Sequence, residues 1–154
     1  MRSLVTSARF AVCTVLCATL VTTACQAETQ GSLYAALGGR SGVHAIVSDL
    51  IDRATASHST ARSFDGANIP RIKRLVEEQI CALSNGGCEY TGDPMRDVHA
   101  GHEISQSEFF AFADMLDQIM VAHGVSLGAR NALIAKLAPM ARDIVEAPRQ
   151  SPAP

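Results

Sequence analysis

The chain reads as an all-α protein on three observations. No segment alternates apolar and polar residues in the period of a strand. Four segments repeat apolar residues at three- and four-residue steps, the spacing that lines one face of a helix. A polar, glycine-rich connector separates the second segment from the third.

The first pattern is Val43, Ile46, Val47, Leu50, Ile51 and Ala54, after Gly38-Gly39, with Ser41 as its expected cap. The second is Ile69, Ile72, Val76, Ile80 and Leu83. Asn68 can cap it, and Pro70 falls in the first turn, where no intrahelical N–H is lost. Asn85-Gly86-Gly87 should stop it. The third opens on Ser105-Gln106-Ser107-Glu108, a capping-box pattern, shows Phe109, Phe112, Ala113, Leu116, Ile119 and Met120 on one face, and ends at Gly124. The fourth starts near Ser126 and shows Leu133, Ile134, Leu137, Met140, Ile144 and Val145, with Pro139 expected to bend or break it.

The flanks stand apart from this domain. Met1-Arg2 and Arg9 give a weakly basic start, and residues 10–24 are almost free of charge, too short for a comfortable membrane span and suited to a secretory signal. Residues 1–27 are therefore expected to be removed and the protein exported, to the periplasm or to a membrane. Thr22-Thr23-Ala24-Cys25 resembles a lipoprotein cleavage box, which would leave a lipidated Cys25 as a membrane anchor. Cutting after Ala27 would instead release a soluble protein, and both readings stay open. Residues 147–154, rich in proline, read as a disordered tail. One domain over residues 32–146 is left, large enough for a single core.

Thirteen basic and 15 acidic residues with no basic run exclude sequence-independent nucleic-acid binding. No Trp and two Tyr leave little for a base-stacking surface. Of five cysteines, Cys13 and Cys17 fall in the leader and Cys25 at its end, so Cys81 and Cys88 remain. A continuous helix would hold these two about 10 Å apart, too far to bridge. Pairing needs the helix to end near Ser84 and the chain to fold back, and the balance is against the bridge.

The connector, residues 85–104, holds four Gly and one Pro, with room for a turn or two of helix around Met95 to Ala100. Long ordered connections in small domains are usually functional. This one carries His99. Of the five histidines, His44, His58 and His123 read as surface or hydrogen-bonded residues. His99 and His102, spaced i, i+3, could hold zinc with Asp97 or Glu103, but no further zinc-ligand spacing accompanies them. Haem needs only one proximal imidazole, plus a flat apolar pocket closed by an aromatic ring. Phe64 could supply that ring and Ile72, Val76 and Ile80 the opposite wall. The same residues would serve equally as ordinary core, and spacing alone leaves both readings open.

The ordered set Leu37-Gly38-Gly39, Phe64-Asp65-Gly66, Arg71-Ile72-Lys73, Gly86-Gly87, Tyr90-Thr91-Gly92, Met95, Val98-His99-Ala100-Gly101, Ile104, Phe109 and Leu137-Ala138-Pro139 resembles a group I truncated globin. The similarity runs from Leu33 to about Val145 and needs no gap between Gly38 and His99. It implies a two-over-two helical sandwich around haem b, with His99 as the proximal iron ligand and Phe64 as the aromatic against the haem. Arg71, Lys73 and Tyr90 fall where the family often has groups near the haem edge, so contacts to the propionates are implied. Ile72, Val76 and Met95 complete the implied pocket.

The distal side departs from the family's pattern. Ile51 stands where many members have tyrosine, and Val76 where a glutamine or similar group often follows. Ile72 and Leu75 add no donor. The resemblance thus implies a monomeric haem protein that takes a small diatomic gas (O2, NO or CO) for scavenging, sensing or redox use, with a reductase as the partner that redox use calls for. A haem-dependent redox enzyme, peroxidase-like or NO-consuming, is the alternative within the same chemistry, and it would want the missing distal donor. A haem-free helical interaction module is the alternative outside it. A binding protein fits the residues better than a dedicated enzyme.

Overall fold

The structure, a computed structural model, describes residues 32–146. The leader expected over residues 1–27, with Cys25, and the tail over 147–154 lie outside the described residues. Among the described residues all regular structure is helical: α1 (Leu33–Ala36), α2 (Gly39–Ala56), α3 (Ile69–Leu83), α4 (Met95–His99), α5 (Gln106–Ala122), α6 (Leu127–Leu137) and α7 (Ala141–Ile144), with 3₁₀ turns at Ala61–Phe64 and Ala138–Met140.

The apolar stripe of α2 is the centre of the core. Val43, Ile46, Val47, Leu50, Ile51 and Ala54 are all buried. Full burial of a Val, Leu or Ile contributes roughly 1.5–3 kcal/mol each, so this helix fixes the others around it. It lies against α3 and against α5; α6 packs on α5 and reaches back to α3. From α5 come Met115, Leu116, Ile119 and Met120, from α6 Leu133, and from α3 Ile80. The pairs α2/α3 and α5/α6 form the expected two-over-two helical sandwich.

Local chemistry sets the helix ends. Asn68 Oδ1 accepts from the Arg71 N–H at 3.1 Å, with Pro70 in the first turn of α3. Ser105 and Glu108 close the full capping box of α5, and Ser126 caps α6 through the Ala129 N–H. Pro139 interrupts the last helical pattern: α6 ends at Leu137, a 3₁₀ turn spans Ala138–Met140, and α7 follows over Ala141–Ile144.

Two expectations are corrected, and one element is added. Ser41 does not cap α2; Gly38 holds that position in the left-handed region (φ 86°), and the helix starts two residues before Ser41. The short helix α1 precedes it, too brief to show a period, and its Tyr34 N–H donates to the Ser84 carbonyl at 3.0 Å. Cys81 and Cys88 form a disulfide, with Cα atoms 5.6 Å apart. The bridge is possible because α3 ends at Leu83 and Asn85 turns the chain back at φ 61°.

Candidate functional site

His99 is the last residue of α4, a five-residue helix too short to hold its shape alone. Side chains from elsewhere fasten it. Arg96 pairs with Asp143 of α7 at 2.8 Å, and Glu146 accepts from the Gly101 N–H at 2.6 Å. On the other flank the Arg62 guanidinium donates to the carbonyls of His102 (2.9 Å) and Glu103 (2.8 Å). The segment is thus held from both sides without being buried.

The imidazole of His99 is half-buried, and its Nδ1 lies 2.7 Å from the Met95 carbonyl oxygen. A carbonyl can only accept, so Nδ1 carries the proton. In the neutral ring the lone pair is then on Nε2, the nitrogen a metal would take. The other histidines are used differently: His44 pairs with Glu77 at 2.8 Å, His123 with Asp49 at 2.7 Å, and His58 is exposed. Among the described residues no three His, Cys, Asp or Glu side chains gather as a metal cluster.

Helix α3 shows what its neighbours leave uncovered. Only Ile80 and Cys81 are buried, while Ile69, Ile72 and Val76 stay half-exposed beside the core. Phe64, at the end of its 3₁₀ turn, and Phe112 of α5 are likewise half-buried against the same cluster. Ile51 lies deeper, within that cluster and 1% exposed. These side chains leave an apolar surface that protein atoms cover only in part.

The polar residues implied at the haem edge divide. Arg71 is exposed, 3.9 Å from the Asp93 carboxylate, and the Tyr90 hydroxyl donates to the Asp93 carbonyl at 3.0 Å. Burial, with the nearby carboxylates of Asp93 and Glu78, holds the Tyr90 phenol above its ordinary pKa. Lys73 turns instead toward α2, where its Nζ lies 2.7 and 2.8 Å from the Asp52 carboxylate oxygens and 3.1 Å from Ser48 Oγ. Its charge is spent on joining the two helices, so Arg71 and Tyr90 are the pair that stays together on the connector side. A separate groove of about 660 Å³, lined by Tyr34, His44, Glu77, Glu78 and the disulfide, includes neither His99 nor Arg71, Lys73 or Tyr90.

Several contributors have no signature in the sequence. Glu78 fixes the connector by accepting from the Thr91 N–H (3.1 Å) and hydroxyl (2.7 Å), contacts that lower its pKa. Gln79 donates its amide to the sulfurs of Met95 and Met140, each at 3.4 Å.

The fold and this arrangement define a small globin. The bacterial-like globin family matches residues 32–146, and the chain belongs to that family. It is similar to the group 1 truncated hemoglobin GlbN of Mycolicibacterium paratuberculosis, 30% identical over 113 residues that cover 73% of this chain and 83% of that protein. The corresponding protein of Nostoc commune is 28% identical over 95 residues, covering 62% of this chain and 80% of its own. In three dimensions the chain resembles the truncated hemoglobin of Tetrahymena pyriformis in its Fe(III) form, with a TM-score of 0.72 at 19% identity over 76% of this chain and all of that one.

A globin implies haem, and the residues present fit it. One imidazole offers Nε2, a partly covered apolar surface is available for a flat ring, and Arg71 is exposed near the connector for a carboxylate.

Proposed function

We propose that the protein binds haem b through His99 and takes a small diatomic gas on the opposite face. The observation that carries this reading is the hydrogen bond from His99 Nδ1 to the Met95 carbonyl, which fixes the ring and leaves Nε2 as the free donor. Phe64, Ile72 and Val76 would contact the ring, and Arg71 and Tyr90 its carboxylates. Bound haem supplies the iron that takes the gas; the protein supplies its orientation and the exclusion of water.

Ile51, Ile72 and Val76 bring no hydrogen-bond donor to the distal side. Dioxygen, once held, is partly negative and is retained by a donor, while CO and NO depend on one less. A missing hydrogen bond is worth about 1 kcal/mol, up to about 3 with a charged acceptor, or roughly five- to a hundredfold in affinity. The reading is therefore a gas-binding protein with weak preference for oxygen and ready oxidation of the iron, used for scavenging, sensing or redox exchange. The same lack weighs against a peroxidase-like or NO-consuming enzyme.

The proposed place of action is outside the cytoplasm. The uncharged apolar run over residues 10–24 supports export, and the Cys81–Cys88 disulfide suits an oxidising compartment. A monomer, with or without a lipid on Cys25 and served by a reductase, is the simplest form consistent with that. No helix among the described residues is long and apolar enough to cross a membrane.

The deciding experiment is the absorption spectrum of the protein expressed with haem supplied, beside a His99→Ala variant. A Soret band in the wild type that is lost or shifted in the variant is the expected result. A wild type without a Soret band sinks the reading.

A further inference from the structure

The inner face of α3 carries one side chain that its apolar pattern does not explain. Gln79 lies three residues after Val76 and seven after Ile72, so it shares their face. It is half-buried, where an amide costs stability unless it is hydrogen-bonded. Its partners are two thioethers, the sulfurs of Met95 and Met140 at 3.4 Å, and thioether sulfur is a weak acceptor. A leucine would suit such surroundings at least as well for stability alone. What the amide adds is direction.

Met95 is the residue through which that direction matters. Its side chain meets Gln79, while its carbonyl accepts the His99 Nδ1 proton at 2.7 Å. Met95 is also the first residue of α4, and Pro94 before it makes no side-chain capping bond. The turn is closed through the Pro94 carbonyl, which accepts from the Asp97 and Val98 N–H groups at 2.9 and 3.2 Å, and the Gln79 contact adds a tie from α3 to the Met95 side chain. Met140 ends the 3₁₀ turn that contains Pro139, so Gln79 also ties α3 to the junction of α6 and α7.

We propose that Gln79 positions the His99 imidazole through Met95, making it a positioning residue for the proximal ligand. The proposal rests on the reading of His99 as that ligand. A well-aligned carbonyl on Nδ1–H raises the donor strength of Nε2. In a pocket whose distal positions are apolar, this gives α3 control of the iron from the proximal side.

The test uses the full chain loaded with haem and reduced, reading the iron–histidine stretching band by resonance Raman. The variants are Gln79→Leu, Met95→Leu and the double variant, each first checked for its Soret band and helix content. Either single change should broaden the band and shift it to lower frequency. The double change should add nothing beyond the larger single shift, because both remove one link. An unchanged band in Gln79→Leu with the Soret intact overturns the proposal and leaves the haem reading standing, as do two shifts that simply add. Should Gln79→Leu fail to retain haem, Met95→Leu reads the same link from its other end. A wild type with no Soret band removes the haem reading itself, a different failure.

Discussion

Arg62 and Glu108 form the clasp that ties the first half of the chain to the start of α5. Their closest atoms are 2.7 Å apart, and the same guanidinium holds the carbonyls of His102 and Glu103. Glu108 also accepts from the Ser105 N–H and hydroxyl. Arg62 first, then Ser105, lower the Glu108 pKa from 4.5 to about 2. The folded form therefore binds that proton more weakly than the unfolded one. Its contribution is complete above pH 4.5 and is withdrawn as the pH falls toward 2. Glu108→Gln should cost about 1 kcal/mol at neutral pH, since half-exposed Arg62 leaves the pair partly screened. Urea unfolding between the folded and unfolded pKa values checks it: the variant should depend less on pH there, and parallel curves would refute the assignment.

The Cys81–Cys88 bridge closes a short loop, seven residues apart in sequence. Loop-closure entropy for that span predicts about 2–3 kcal/mol of stabilisation. Thermal melts with and without a thiol reductant should separate accordingly. A Cys81→Ala/Cys88→Ser variant should melt below the oxidised wild type and be indifferent to reductant. Equal melting of oxidised and reduced wild type would show the bridge to be idle.

Replacing Ile51 by tyrosine would place a hydroxyl on the side proposed to receive the gas, where Ile51, Ile72 and Val76 bring no donor. Oxygen should then leave more slowly, by roughly fivefold for one hydrogen bond of about 1 kcal/mol. Ile51 is 1% exposed, so the larger ring must displace neighbours at a cost of about 1–3 kcal/mol in stability. Stopped-flow displacement of oxygen by CO measures the rate. Identical rates in the two proteins would count against an apolar distal pocket.

At Gly42 a methyl group has no room. A Cβ there would stand 2.2 Å from the Leu37 carbonyl oxygen, in the elbow where α1 meets α2. Gly42→Ala should therefore destabilise by about 1–3 kcal/mol despite alanine's better helix propensity. A methyl group at Gly128 would meet nothing within 4 Å, so Gly128→Ala in α6 is the matched control and should be neutral or slightly stabilising. Similar losses for both would contradict the steric account.

The long helices were legible because burial of a stripe and its period are the same fact seen twice. Asn68, Ser105 and Ser126 announced three helix starts, since a cap is local chemistry. Gly38 displaced Ser41 because the chain enters α2 through a left-handed residue, which suits glycine rather than serine. The disulfide ran against expectation because a bridge depends on where the chain reverses, and Asn85 decides that. His99 stood out by its place on an irregular connector. Its supports did not: Arg62, Glu78, Gln79 and Glu146 reach across 13 to 45 positions of sequence, and no periodicity reports a contact of that kind.

Those supports are of a different substance from the rest of the molecule. Helix α2 is held by closely packed hydrocarbon, whereas α4 and the residues after it are tied in part by ion pairs, Arg96 to Asp143 at the surface and Arg62 to the less exposed Glu108. Dissolved ions screen the second kind of force over about 8–10 Å at ordinary ionic strength and over about 3 Å at roughly 1 M, and leave the first almost untouched. Raising the salt concentration should thus slacken the histidine segment while the spine stays rigid, so that two parts of one small domain respond differently to the surrounding medium.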